Sequence, residues 1–187
     1  MAAISNSLYE NTAKTVISAF VTSHLDYGNS LYYGLFNKHL NKLQTLHNAA
    51  AKVVMKKRKF DHISDDFIKL HWLPVRDRID HKIGSLTWKC INGQGPYYLS
   101  ELLQPVDRNE LRYKYVGSLK VPKTNQATCG DRAFMVAAPK VWNSIPTNIR
   151  TADSQEVFKS KHKTHLFIKR YGAVSYTHLT LPTIYSV

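Results

Sequence analysis

The sequence predicts a mainly α protein of several amphipathic helices with one loop-rich segment. Apolar residues recur at helical spacing in four long segments, around 7–24, 37–57, 74–92 and 154–170. Capping and breaking residues punctuate those segments at their ends. Only the stretch near 113–135 alternates loosely, with Tyr113, Tyr115, Leu119 and Val121, so a short β-hairpin is possible there. The chain has 187 residues, 43% of them apolar, enough for a core and about one domain's length. No apolar run approaches the ~18 residues of a membrane span, and residues 1–9 lack the order of a secretory signal. These features point to an intracellular, non-secreted protein.

In segment 7–24, Tyr9, Ala13, Val16, Ile17, Phe20 and His24 fall on one side, with Ser7 as N-cap and Glu10 completing a capping box. Gly28 and Gly34 flank a short aromatic stretch. Asn37 can cap the next helix, which runs to about Lys57 with Leu40, Leu43, His47, Ala50 and Val54 on one face. A short helix over 64–71, capped by Ser64 and carrying Asp65 and Asp66 in its first turn, stops at Trp72-Leu73-Pro74. Pro74 opens a longer helix to about Asn92, where Val75, Ile79, Ile83, Leu86 and Cys90 share a face. Cys90 therefore reads as a small core residue. Asn92-Gly93 and Gly95-Pro96 form a turn, and one more short helix fits 97–103. Residues 107–126 are polar and basic, and 130–146 read as a buried turn followed by a short helix around Trp142. The last helix, Ser154 to Arg170, places Phe158, His162, His165 and Leu166 on one side.

Charge divides the chain in three. There are 26 Lys and Arg against 13 acids, a formal net charge of +13. Residues 1–60 form a basic helical segment with 8 basic and 2 acidic residues. Residues 61–106 form a neutral helical segment, and 107–173 a basic loop with the terminal helix. Such an excess favours a polyanionic partner. On the helix over 37–57, Lys38, Lys42, Lys52 and Lys56 gather in a stripe opposite the apolar face. Over the helical rise that stripe is about 27 Å long, enough to follow several phosphates. No acid is interleaved for i,i+4 pairing, so phosphate contact is preferred to a merely solvated face. Lys57, Arg58 and Lys59 extend the block. The run KKRK resembles a nuclear-import signal and equally suits a helix C-terminus. Lys159, Lys163 and Arg170 on the last helix complete the candidate nucleic-acid-binding set.

Catalytic chemistry is sparse. Asp61, His62, Asp65 and Asp66, with His71 nearby, form the one acidic cluster; a nuclease using Asp61, His62 and Asp66 is one reading and dipole-stabilising acids are the other. His162 and His165 stand at i,i+3 without a helical carboxylate or Cys, a poor metal set. There is no phosphate-cradling glycine loop, G-x-S-x-G or C-x-x-C, and Cys90 and Cys129 make no disulfide framework. The expectation is a non-enzyme with no cofactor, no metal and no small-molecule substrate. Tyr32, Tyr33, Tyr113 and Tyr115 suit either base stacking or packing.

The strings HLDYGNSLYYGL (24–35), KLQTLHNAAAKVV (42–54), FDHISDDFIKLHWLPVRDRIDHKI (60–83) and INGQGPYYLSELL (91–103) occur in one order with VPKTNQATCGDRAFMVAAPKVWNSIPTNIR (121–150) and VFKSKHKTHLF (157–167). Together, over about 5–170, they resemble the region after the polymerase core in reverse transcriptases of non-LTR retrotransposons, of the jockey-like and chicken-repeat-like lineages. The most specific parts are LHWLPV, GDRAF and AAPKVWNSIP. His162, Cys129 and Gly28 depart from the residues usual in that family. The resemblance implies a thumb-like and C-terminal region of an RNA-directed DNA polymerase, within a nuclear or cytoplasmic ribonucleoprotein. The Y-x-D-D string of the palm is absent, so the upstream polymerase core would be a missing partner. Thumb helices lie against template–primer, which makes RNA, DNA or their hybrid the expected ligand. A structural module docking on the polymerase is the alternative. Residues 174–187 carry no charge, and VSYTHLTLPT (174–183) resembles a translated sequencing-library adapter, an artefactual tail set aside from fold reasoning.

Overall fold

The computed structural model describes residues 10–106, 117–124 and 130–172. The architecture is mainly α. In chain order the helices are α1 (Glu10–Ile17), α2 (Ser23–Asp26), α3 (Asn37–Val54), α4 (Ser64–Leu70), α5 (Val75–Ile91), α6 (Tyr97–Ser100), α7 (Phe134–Ser144), α8 (Thr147–Arg150) and α9 (Gln155–Tyr171). A π-helical turn, Ser18–Thr22, joins α1 to α2, and single 3-10 turns lie at Asn29–Tyr32 and Gly130–Arg132. Most of the possible hairpin near 113–135 lies outside the described residues, as do Ser7 and the tail. Within them, the extended segments meet at one antiparallel bridge between Pro105 and Leu119. The side chain of Asn143 continues that pairing: Leu119 N–H donates to its Oδ1 at 2.9 Å, and its Nδ2 donates to Leu119 C=O at 2.8 Å.

Helix α5 organises the fold. It packs most extensively against α9 and α7 and also touches α3. On one side Val75, Ile79 and Ile83 meet Leu40 of α3 and Ala137, Ala138 and Val141 of α7. Further along, Trp88 joins Trp142, Ile145, Ile149 and Phe158, with Phe158 between the two indoles at 6.0 and 5.8 Å. A third cluster sets Ile17 against Ala50, Ala51, Val54, Phe67, Leu70 and Trp72. These clusters draw on all three charge segments. Cys90 is buried, as its place on the apolar face predicts.

Several local expectations need correction. In the first helical segment, Val16, Phe20 and His24 are exposed, and the buried positions are Ala13, Ile17 and Leu25, with Val21 half-buried. That spacing of four drifts around an α-helix; the wider π turn, in which Ser23 N–H donates to Ser18 C=O, takes up the drift. Asn37 is the first residue of α3 rather than its cap, and its Oδ1 accepts from the Arg76 guanidinium instead. Ser64 likewise starts α4 without a capping bond. Helix α7 spans 11 residues, longer than the sequence suggests, because it runs through buried Pro139. Ser154 does cap α9, accepting from Val157 N–H at 3.3 Å.

Helix α3 stops at Val54, short of Lys57, in a Schellman closure: Lys57 N–H donates to Lys52 C=O at 2.9 Å and Lys56 N–H to Val53 C=O at 3.4 Å. This puts Lys56 in the left-handed region, at φ 52°, where a side chain is strained. Lys56→Gly is therefore expected to stabilise the fold by about 1 kcal/mol, read from the urea midpoint.

Gly84 lets α5 and α9 approach. A methyl group there would lie 2.5 Å from Cε1 and 2.9 Å from Nδ1 of His162, itself fully buried. Gly84→Ala is expected to cost about 1–3 kcal/mol in urea unfolding. In a His162→Ala background, which vacates that space, the cost should fall below about 1 kcal/mol.

Candidate nucleic-acid interface

The basic row on α3 is built by the burial of its opposite face. Leu40, His47, Ala50 and Val54 are buried and Leu43 half-buried, so Lys38 and Lys42 are turned outward and exposed. Among the described residues neither has a hydrogen bond or ion pair. Lys52 is half-buried and its Nζ donates to the Lys59 carbonyl, closing the loop after α3 while keeping its charge unneutralised. Lys56, past the helix end, is exposed. So are Arg58, whose backbone N–H donates to Asp61 Oδ2 at 2.8 Å, and Lys59, whose Nζ sits 5.7 Å from the ring of exposed Phe60.

Two further sequence-predicted cations, Lys57 and Arg170, are held in contacts of the fold. Lys57 forms an ion pair with Asp66, a fully buried carboxylate, and also donates to the His62 carbonyl at 3.0 Å. Arg170 binds Asp77 at 3.0 Å and ties α9 to α5. Lys163 is half-buried; burial pushes its pKa down, and Arg78 and Lys14 add to that while Asp26 opposes it. Lys159 is placed differently. Its pKa is lowered first by burial and then by Lys89 and Lys82 of α5, with Glu156 opposing. Lys82 and Lys89 of α5 thus act electrostatically on Lys159 across the packed α5–α9 seam, a second group of cations. Sequence reasoning missed it because acids elsewhere in 61–106 cancel the segment's sum. The signal available was the seven-residue spacing of Lys82 and Lys89, two turns along one helical face.

The acidic cluster is dispersed into structural contacts. Asp66 pairs with Lys57 and Asp61 closes a turn at Arg58. Among the described residues no group of three or more His, Cys, Asp or Glu is arranged to hold a metal ion. The histidines inside the fold are packing groups, while His24, His39 and His62 are exposed. His47 stacks on Trp72 at 5.1 Å, edge-on to Phe67, and neither ring nitrogen has a hydrogen-bond partner among the described residues. His162 stacks on His81 at 5.4 Å, and His81 Nε2 lies 3.1 Å from the Lys159 carbonyl. Tyr32 and Tyr33 are half-buried against the α3–α5–α7 core, while Tyr113, Tyr115 and Cys129 lie outside the described residues.

No protein-family model, curated protein or solved structure matches the chain. No helix among the described residues is long and apolar enough to cross a membrane.

Burial dictates the response to acid. It holds the pKa of His47 and His81 at about 4 and of His162 at about 3, against 6.5 ordinarily. His47 also faces Arg78, with Asp26 opposing; His81 faces Lys163, Arg78 and Lys159; His162 faces His81, His165 and Lys169. Above pH 6.5 these rings are neutral in both states. Below it the unfolded chain binds protons that the native rings refuse, so their contribution is lost as pH falls from 6.5 towards 4 and 3. Asp80 acts oppositely: burial and Asp77 raise its pKa from 3.8 to about 6, so its contribution is lost as pH rises through that window. Three histidines outweigh one carboxyl. Thermal unfolding is expected to move to lower temperature between pH 7 and pH 4.5, and His162→Leu should make that dependence shallower.

Proposed function

We propose that the chain is a non-catalytic nucleic-acid-binding region that holds a phosphate backbone with little sequence preference. It corresponds to the part of a non-LTR retrotransposon reverse transcriptase that follows the polymerase core. The observation that carries the reading is the row of exposed cations at Lys38, Lys42 and Lys56, unpaired among the described residues and continued by Arg58 and Lys59. The family strings support the placement beside template–primer. Each lysine that meets a phosphate releases condensed counterions, so affinity should fall linearly in log salt. The Lys82–Lys89–Lys159 cluster would add contacts on a second surface. RNA, DNA and their hybrid all present the ligand this mechanism needs.

A second reading, docking on the polymerase core, is favoured by a different observation. Phe20, Tyr27, Leu31 and Phe36 are each at least two-thirds exposed, an unusual density of bare apolar side chains in 17 residues. A surface of that kind associates with little dependence on salt, whereas backbone binding depends on it steeply.

The test is the salt dependence of binding to a 20-base-pair RNA–DNA hybrid by fluorescence anisotropy. The chain with Lys38, Lys42, Lys52 and Lys56 all changed to Gln should lose about 0.7–0.9 from the log–log slope for each phosphate contact removed. An unchanged slope would make the row a solvated face and leave docking as the better reading.

A further inference from the structure

Outside the lysine row, an open cavity of about 500 Å³ lies between the Tyr32–Leu35 segment, α3, α5 and α7, within the size range of small-ligand sites. Its polar lining is of two kinds. Arg76 and Lys140 are exposed cations, Arg76 held by the Asn37 side chain and Lys140 by Asp131 at 3.2 Å. The other kind is Asp80 and Tyr33. Both are half-buried, both line the cavity, and among the described residues neither side chain has a hydrogen-bond partner or ion pair. They are near one another, for the Asp80 carboxylate helps hold the Tyr33 phenol protonated, after burial and ahead of Asp131. Their polar atoms stay open to water through the cavity, so a ligand there would exchange that water for donors and acceptors of its own. Tyr32 and Ile79 add an aromatic and an apolar surface to the same space.

We infer that this cavity takes a single unpaired nucleotide and prefers guanine, with Asp80 and Tyr33 reading the base edge and Arg76 and Lys140 holding the phosphate. A carboxylate is an acceptor with two adjacent oxygens. Guanine alone among the four bases presents two adjacent donors, N1–H and the 2-amino group, on its pairing edge. Beside them stands the O6 acceptor, to which the Tyr33 hydroxyl can donate. Adenine and cytosine would turn a ring-nitrogen lone pair toward the carboxylate, and uracil offers a single donor between two carbonyls. Arg76 and Lys140 offer charge-assisted donors to a 5′-phosphate, Lys140 from its pair with Asp131 and Arg76 from beside Asp80, and the apolar and aromatic walls suit a base plane. The inference deepens the nucleic-acid reading, resting on it only for the source of the nucleotide, an unpaired position in a bound strand.

The experiment titrates the full chain with GMP, AMP, CMP, UMP and ribose 5-phosphate at pH 7.5, followed by amide NMR shifts. Saturable GMP binding is expected, with AMP and ribose 5-phosphate at least about tenfold weaker. Asp80→Asn, which replaces one acceptor oxygen by a donor, should abolish the preference for GMP over AMP. Arg76→Gln, on the exposed rim, should weaken GMP and AMP alike and keep their ratio. Equal binding of ribose 5-phosphate and GMP would reduce the cavity to an anion contact and overturn the inference. So would equal affinity for the four nucleotides, no saturation at millimolar GMP, or a GMP preference that survives in Asp80→Asn. Hybrid binding with its salt slope intact alongside failed GMP binding would overturn the cavity alone. GMP binding with no salt-dependent hybrid binding would overturn the backbone reading alone.

Discussion

Burial of α5 is the constraint from which the other packing follows. Its sequence, VRDRIDHKIGSLTWKCI, is not that of an apolar helix, yet it is covered by α3 and α7 on one side and α9 on another. Polar residues survive there because their bonds are made locally. The Ser85 hydroxyl donates to the His81 carbonyl at 2.7 Å and Thr87 to Ile83 at 2.8 Å, so neither seeks a partner across an interface. Gly84 removes the one side chain that would hold α9 away. Where α9 arrives, Asp77 meets Arg170 and His81 meets the Lys159 carbonyl. The α5–α9 seam is thus a polar zipper beside an aromatic core. Removing either the space at Gly84 or the rings it accommodates would disturb both at once.

This arrangement explains how a chain with net charge +13 folds around so few acids. Several of its carboxylates hold elements together: buried Asp66 neutralises Lys57 beyond the end of α3, and half-buried Asp77 neutralises Arg170 across the seam. Asp26 serves likewise, binding the Arg78 guanidinium through both of its oxygens. The surplus cations are left in positions where water screens them. Lys38 and Lys42 stand on the outer face of α3 with no acid neighbour in the helix, a mutual repulsion worth a few tenths of a kcal/mol per pair. Folding tolerates that cost because it is small beside the burial of Leu40, Ala50 and Val54 on the opposite side.

The amphipathic helices were legible because their periodicity states a burial that the tertiary structure then satisfies. Leu40, His47, Ala50 and Val54 in α3, and Phe158, His162 and Leu166 in α9, are buried as the spacing requires. Helix ends were less legible. Three of them close with the same 6→1 bond, donated by Lys57, Trp72 and Gln94, but only the third has a glycine, Gly93, at the left-handed residue. Lys56 and His71 occupy the same conformation without any residue type that announces it. The π turn is silent for a related reason. A spacing of four through Ala13, Ile17, Val21 and Leu25 reads as α-helical, and only the partners on α3 and α5 decide which side is covered.

The binding surfaces divide along the same line. A row on one helix is visible in sequence because its members share a periodicity; a cluster across two helices is not, because it exists only once they pack. Lys82 and Lys89 look like neutral-segment lysines until α9 brings Lys159 beside them. The resulting cluster differs physically from the α3 row. Its cations lie close enough to lower the pKa of Lys159, in a setting already partly desolvated, so each favours the neutralisation of the others. Lys38 and Lys42 on α3 are exposed and gain mainly by counterion release. An anion at the seam would gain more from direct charge pairing in a lower effective dielectric, and its binding would be screened less by salt. The cavity at Asp80 differs again, since its polar lining includes a carboxylate acceptor as well as cations. Charge alone therefore describes the first surface well, the second in part and the third poorly, in the order in which tertiary packing contributes to each.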